Sequence, residues 1–334
     1  MKALVTAPFT EACLNELREA GVEVEYRSWR DTGKLHLGDS MLEVISQGDY
    51  DIVIVEGDEI KEEVIQGTDL KLIACVRGGP NNISIEAATK KGIPVVSAPG
   101  RNTTAVAELT ISLILSTARR LTRADRLLVR DEFMVDDFGD FGRLHESTIG
   151  FELSGKTVGI IGLGQIGLEV AKRLCAFDVR LLVYDPYVAE DKLKSVGATE
   201  SGLDDLLQES DVVTIHVPAT EETRGLLSAE KLGLMKETSI LINTSRASVT
   251  DEDALFEALK SKRIAGAGLD VFTMEPVDCD NIFLELDNVT VTPHIGGNTR
   301  ETIERQSEML TKDIKAFLNG EKPLHILNPE VLKG

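Results

Sequence analysis

The segment Gly162-Leu-Gly-Gln-Ile-Gly167 limits what this chain can fold into more than any other stretch, because of its flanks. Before it, Lys156–Ile161 is a short β-branched apolar run that reads as a buried parallel strand. After it, Ile166, Val170, Leu174 and Phe177 recur at helical spacing. Gly162 allows the tight turn from strand to helix, Gly164 leaves the backbone open to a pyrophosphate, and Gly167 lets helix and strand pack closely. The phosphates would then sit on the free amides at the positive end of the helix. A second strand, Val179–Tyr184, ends in Asp185, eighteen residues beyond Gly167. A carboxylate there accepts hydrogen bonds from an adenosine ribose diol and repels a 2′-phosphate. No Arg follows in 185–188, so the expected cofactor is NAD rather than NADP. Taken alone, such a motif has a plainer reading as a glycine-rich turn that binds nothing.

The rest of the chain repeats the alternation of strand and helix. Strands are expected at Ala3–Thr6, Val22–Tyr26, Ile52–Val55, Leu72–Val76 and Val95–Ser97, with helices such as Glu11–Glu19 and Ser84–Lys91 between them. That pattern predicts a doubly wound parallel sheet in its own right, ahead of the one built on the glycine turn. Further strands are expected at Val212–His216, Ser239–Ile242, Ile264–Leu269 and Val289–Val291. Thr103–Leu128 reads as one long helix, with Arg119, Arg120 and Arg123 suited to its negative end, and Thr299–Leu318 as a second. Between Asp131 and Glu152 the chain is polar and irregular, with Phe133, Phe138 and Phe141 spaced through it. An arm that packs on a second subunit and an ordinary long loop are both open readings.

Composition narrows the function classes. A net charge of −20 argues against nucleic acid and anionic membrane as partners, and means that local cations must draw in any anionic substrate. No apolar run approaches transmembrane length. The N-terminus begins with a strand and has no signal-peptide or transit-peptide character, so a cytoplasmic enzyme is expected. Cys13, Cys75, Cys175 and Cys279 are scattered without metal or redox spacing, so no metal is expected.

Three polar residues carry the chemistry. Arg246 directly follows the strand Ile240–Asn243, at the carboxyl end where open α/β sheets bind ligands, and a guanidinium can grip a carboxylate bidentately. His294 lies just past Val289–Val291 and can donate or accept a proton near neutral pH. Glu275, in the loop after Leu269–Phe272, would stabilise its imidazolium and orient the ring. Cation, acid and tuning carboxylate together are what hydride transfer to a 2-oxo acid requires. Singly, each has a plainer reading as a surface ion pair, a turn residue or a solvated carboxylate.

The chain resembles the D-isomer-specific 2-hydroxyacid dehydrogenases, most closely their phosphoglycerate-dehydrogenase-like branch. The resemblance runs over nearly the whole length, through Arg77–Pro80, Val95–Asn102 with Ala105–Glu108, Gly162–Gly167 with Asp185, His216–Thr220, Ile242–Arg246, Gly268–Phe272 with Glu275-Pro276, and Pro293–Gly297. It implies that Arg246, Glu275 and His294 are the catalytic set. It also implies that Gln165 and Ile166 lie against the pyrophosphate, that Thr244 and Ser245 line the nicotinamide ribose, and that Asp270 meets the nicotinamide carboxamide. His216, Pro218, Gly296 and Gly297 fall in motifs of the cofactor site, and the backbone at Gly78 and Gly79 helps bind the substrate carboxylate. The implied fold is a Rossmann NAD-binding domain (101–297) inserted in a flavodoxin-like substrate domain (1–100 with 298–334), with hinge closure and a homodimer.

Departures from the pattern bear on the substrate. A basic residue for a substrate phosphate is expected after the third strand, yet Val55–Glu63 is strongly acidic. That argues for an unphosphorylated acid of glyoxylate or hydroxypyruvate type over 3-phosphoglycerate. Arg77 and Arg101 are open as compensating phosphate ligands or as structural ion pairs. Ala247 replaces a common glycine, and the extra C-terminal regulatory domain of some relatives is not expected. The alternatives are a D-3-phosphoglycerate dehydrogenase and an NAD(H)-sensing regulator without significant turnover.

Overall fold

The computed structural model describes residues 1–129 and 135–333 and divides into two units, residues 1–101 with 299–334, and residues 102–298. In the first unit, β1 (Lys2–Val5), β2 (Glu23–Tyr26), β3 (Ile52–Val55), β4 (Leu72–Cys75) and β5 (Val95–Ser97) form a parallel sheet in the order β2-β1-β3-β4-β5. The continuous apolar runs of β3 and β4 are fully buried, as strands covered on both faces must be. One face packs on helix Glu11–Glu19, through Cys13, Leu14 and Leu17, and on helix Arg300–Leu318, through Leu310 and Ile314. Thr10 and Thr299 cap these helices, accepting from the backbone N–H groups of Cys13 and Thr302. The other face is covered by Met41 and Ile45 of helix Asp39–Gly48 and by the shorter helices Glu62–Gln66 and Ile85–Lys90. All four cysteines are free, and burial pushes the Cys75 thiol up to about 11, so it packs as an inert apolar group.

The second unit holds a seven-stranded parallel sheet. Its strands are β6 (Thr157–Ile161), β7 (Arg180–Tyr184), β8 (Thr199–Glu200), β9 (Val212–Ile215), β10 (Ile240–Asn243), β11 (Gly266–Leu269) and β12 (Val289–Val291). The order is β12-β11-β10-β9-β6-β7-β8, so the winding direction reverses between β6 and β9, and a crevice opens there at the carboxyl ends of the strands. Both faces are covered, one around Leu241, Leu255 and Phe283, the other around Leu113, Val170 and Leu181. The expected pair of doubly wound parallel sheets is therefore present.

Two expectations about helices need correction. The long helix expected over 103–128 is two, Thr103–Ala118 and Leu121–Val129. The carbonyl of Ala118 accepts from Phe151 N at 2.9 Å rather than continuing the helix, and Arg120 takes a left-handed φ of 52° at the corner. A side chain at Gly150 would stand 2.2 Å from that carbonyl, so the glycine is what lets the incoming chain approach. Within the stretch expected to be irregular, Phe138–Ser147 is a helix, its first turn capped by Asp137 accepting from Asp140 N at 2.9 Å. Phe138 and Phe141 stand exposed on it, whereas Phe133 lies outside the described residues. No helix among the described residues is long and apolar enough to cross a membrane.

Candidate active site

Every strand of the second sheet delivers an expected residue, or a polar one, at its carboxyl end. In spatial order they are His294 after β12, Asp270 after β11, Arg246 after β10, His216 after β9, Gly162 after β6, Asp185 after β7 and Ser201 after β8. Residues far apart in sequence are thus brought to one edge of one sheet.

The glycine turn is built as its chemistry requires. Gly162 has φ 93°, which L side chains rarely adopt, and a Cβ on Gly167 would fall 2.1 Å from the Gly162 carbonyl oxygen. Around Gly164 there is open space, and as the N-cap of helix Gln165–Leu174 it offers no side chain to the first-turn amides, which stay free for an anion. Asp185 accepts from Leu163 N at 2.8 Å with one oxygen and from Tyr187 N at 2.9 Å with the other. Each oxygen keeps a lone pair for a ribose hydroxyl. Beside it, Tyr184, Pro186, Glu200, Ser201 and Gly202 line a groove of about 410 Å³. Glu200 adds a second carboxylate there, against a 2′-phosphate. These residues fit NAD. Glu200 and Ser201 escape a motif-based reading, and their only signal is their place next to Asp185 across β7 and β8.

His216 and Thr244 are each held by a hydrogen bond within the unit. The His216 ring nitrogen Nε2 lies 3.0 Å from Thr214 Oγ1, and burial pushes its pKa down to about 3, which keeps the ring neutral. Thr244 is buried, with its hydroxyl 2.8 Å from that of Thr110, so it fastens β10 to helix Thr103–Ala118. Pro218 is exposed, and Gln165 accepts from the Thr103 hydroxyl at 3.4 Å while Ile166 is half-buried beside it. Asn243 takes no role in the sequence reading, yet it shapes the Arg246 turn. Its Oδ1 accepts from Ser245 N at 3.0 Å and its Nδ2 donates to the Arg246 carbonyl at 3.0 Å. Arg246 itself is exposed, its Nη1 donating to Ser245 O at 2.6 Å, and it has no carboxylate partner among the described residues.

Glu275 and His294 meet directly. His294 Nδ1 lies 2.7 Å from Glu275 Oε2, while Oε1 accepts from Phe272 N at 3.1 Å, which fixes the carboxylate to its own loop. The other ring nitrogen, Nε2, is left for a substrate oxygen. His294 has φ 53°, a left-handed conformation that a residue of this size holds only when its surroundings impose it. Asp270 imposes it. This fully buried carboxylate accepts from Thr292 Oγ1 (2.6 Å) and Ile295 N (2.8 Å) with one oxygen and from Gly296 N (2.8 Å) with the other. A single lone pair on Oδ2 remains unused. A Cβ on Gly296 would fall 3.0 Å from Asp270 Oδ2 and one on Gly297 3.2 Å from Asn102, so both glycines serve tight packing of this loop.

In the other unit, Arg101 is an ion-pair partner. Its Nη2 donates to Glu56 Oε1 at 2.8 Å, its Nη1 donates to Gln306, and the two charged side chains are 13% and 17% exposed. The acidic stretch 55–63 also differs from its expected effect. The second oxygen of Glu56 accepts from Trp29 Nε1 at 2.9 Å. Asp58 is wholly buried, accepting from Thr6 Oγ1 at 2.6 Å and His36 N at 2.8 Å. Two of the five acids of this stretch are thus satisfied inside the unit, Glu56 by a cation and Asp58 by neutral donors. Arg77 is half-buried at the end of β4 and Gly78 and Gly79 next to it are exposed.

Residues 111–296 match the D-isomer-specific 2-hydroxyacid dehydrogenase NAD-binding domain. The chain is 38% identical to the glyoxylate reductase of Pyrococcus horikoshii, over 99% of this chain and 97% of that protein. It is 39% identical to the D-3-phosphoglycerate dehydrogenase of Archaeoglobus fulgidus over 96% of its own length, but spans only 58% of that relative. Among solved structures, the D-lactate dehydrogenase of Aquifex aeolicus complexed with NAD and lactic acid superposes with a TM-score of 0.76 at 31% identity, covering 100% of this chain and 98% of that one. By this family match and these similarities, the chain belongs to the D-isomer-specific 2-hydroxyacid dehydrogenases, NAD-dependent oxidoreductases of 2-hydroxy acids.

Proposed function

We propose that the chain interconverts a small 2-oxo acid and its D-2-hydroxy acid, with a skeleton of the glyoxylate or hydroxypyruvate type. The observation that carries this reading is the 2.7 Å imidazole–carboxylate pair on the strand end two places from Arg246 in the sheet. Gly162–Gly167 and the first turn of the following helix would hold the pyrophosphate of NAD(H), and Asp185 the ribose. When bound, NADH supplies the hydride. Arg246 grips the substrate carboxylate. Glu275 stabilises the charged imidazole, and His294 Nε2 holds the proton that the substrate oxygen takes up in reduction and accepts it back in oxidation. Asp270 and Thr292 keep that ring in position.

A regulator that binds NAD(H) without turnover has no use for so complete a proton-transfer pair, and this disfavours it. The D-3-phosphoglycerate dehydrogenase reading regains weight from the inward pairing of Glu56 and Asp58. A cytoplasmic homodimer is the assembly this reading includes. It is supported by four free cysteines and by Leu128, Phe138, Phe141 and Ile149, large apolar side chains each left exposed. The test is NADH oxidation by the purified protein with glyoxylate, hydroxypyruvate, pyruvate, 2-oxoglutarate and phosphohydroxypyruvate. Turnover that Arg246→Ala abolishes, with NADH still bound, is the expected result. NADH binding without turnover of any acid would refute the proposal.

A further inference from the structure

A guanidinium at the end of a long, exposed side chain grips a carboxylate with two bonds only if something aims it, and Arg246 stands exposed. The residue placed to aim it is Asn243, which ends β10 and is buried. Its side-chain amide holds the turn at both ends. Oδ1 accepts from Ser245 N at 3.0 Å and from Ser245 Oγ at 3.2 Å, which uses both lone pairs. Nδ2 donates to the Arg246 carbonyl at 3.0 Å, where Val249 N at 3.3 Å is a second donor. The orientation of the amide follows from these partners, because the reverse would set its NH2 against an N–H and its carbonyl against a carbonyl. With Ser245 N and the Arg246 carbonyl both held, the peptide between them has little freedom, and the Ser245 carbonyl keeps one direction. That carbonyl is what the guanidinium holds, Arg246 Nη1 donating to it at 2.6 Å in a charge-assisted bond. The main chain of Asn243 makes a separate link. Its carbonyl accepts from Asp270 N at 3.0 Å, and the Asp270 carboxylate accepts from Ile295 N and Gly296 N beside His294.

We propose that Asn243 is the positioning residue for the Arg246 guanidinium. Acting through the Ser245 peptide, its side-chain amide sets how tightly the carboxylate of a 2-oxo acid is gripped. The inference deepens the proposed activity and rests on it. An amide offers an acceptor and a donor on one rigid plane, whereas an ionised Asp only accepts. Substitution of the side chain leaves the main-chain link to Asp270 in place. The Glu275–His294 pair, fixed by Phe272 N, makes no use of the Asn243 amide. The effect therefore falls on binding of the acid and spares the proton-transfer pair.

The test compares Asn243→Ala and Asn243→Asp with the wild type on glyoxylate or hydroxypyruvate, whichever is turned over faster. The alanine removes every bond of the amide. The aspartate keeps its size and its acceptor but sets a carboxylate oxygen against the Arg246 carbonyl. In both, kcat/KM should fall by about tenfold or more, chiefly through KM for the acid, with NADH affinity and the pH profile retained. A double-mutant cycle separates aiming from general support of the fold. In an Arg246→Lys background, where a point charge needs no fixed plane, Asn243→Ala should cost less than about threefold. An equal loss in the two backgrounds, or an unchanged KM in both single variants, overturns the proposal. Hydrogen exchange reads the same clamp without substrate. The Ser245 amide should exchange at least about tenfold faster in Asn243→Ala than in the wild type, while peptides of β6 and β9 stay protected. Equal exchange of Ser245 in the two proteins overturns the proposal. If Asn243→Ala loses protection throughout the unit, the KM of Asn243→Asp decides. If no acid is turned over, the proposed activity has failed, and the exchange of Ser245 alone decides whether the clamp exists.

Discussion

Acid should destabilise the unit of residues 102–298 through His216. The backbone of this residue lies under the glycine turn, with its carbonyl carbon 3.0 Å from the place a Gly162 Cβ would take and its N–H donating to Ile161 O at 2.7 Å. Burial pushes the imidazole pKa down to about 3, against about 6.5 in an unfolded chain. Between those values the unfolded state binds a proton that the folded state refuses. The stability is therefore intact above about 6.5 and is lost progressively as the pH falls towards 3. Each pH unit below 6.5 removes about 1.4 kcal/mol, or about 2 kcal/mol at about pH 5. Hydrogen exchange of peptides spanning β6 and β9, corrected for intrinsic rates, reads this loss in the relevant unit. Going from about pH 7.5 to about pH 5, the wild type should lose about 2 kcal/mol more than His216→Gln, which cannot charge. Equal losses in the two proteins would refute a buried neutral His216 as the origin.

Arg101→Met leaves the Glu56 carboxylate with Trp29 alone and should destabilise the first unit by about 3 kcal/mol, as loss of one partner of a buried pair does. Denaturation followed by the emission of Trp29, the single tryptophan, measures it, and adding Glu56→Gln should restore part of the loss. Asp270→Asn places an amide where three donors converge, so the loop bearing His294 shifts. Turnover should drop by roughly 100-fold, the cost of about 1 Å of misplacement, with the fold intact by circular dichroism. Gly167→Ala forces a Cβ to 2.1 Å from a carbonyl oxygen and should cost about 1–3 kcal/mol and weaken NADH binding, as a fluorescence titration would report.

Much of this fold is legible in the sequence, for a physical reason. A strand buried on both faces must be a continuous apolar run, so β3, β6 and β9 declare themselves, and the polar residue that ends such a run stands at the binding edge of the sheet. Arg246, Asp185 and His294 read from the sequence on that ground. The break at Arg119–Arg120 does not, because its cause is a carbonyl captured by Phe151, far along the chain. Helical periodicity carries no trace of a competing long-range acceptor. Asn243 and Thr292 carry no sequence signal for a related reason, since a side chain that organises a turn through backbone groups has no spacing to betray it.

The loop after β3 shows where counting fails. Its acidic residues suggest a field hostile to phosphate, but a charge acts on a ligand only if its own partners have not already neutralised it. Glu56 faces Arg101 and Trp29, and Asp58 faces Thr6 and a backbone amide, so neither presents a free carboxylate. Arg77 and Arg101 looked equivalent in sequence, and pairing separates them. One is bound to a carboxylate with little exposure, while the other stands half-buried and unmatched by any described residue. Which charges at this edge can act on a ligand is therefore decided by their pairing, and a count of acids and bases along the loop does not contain it.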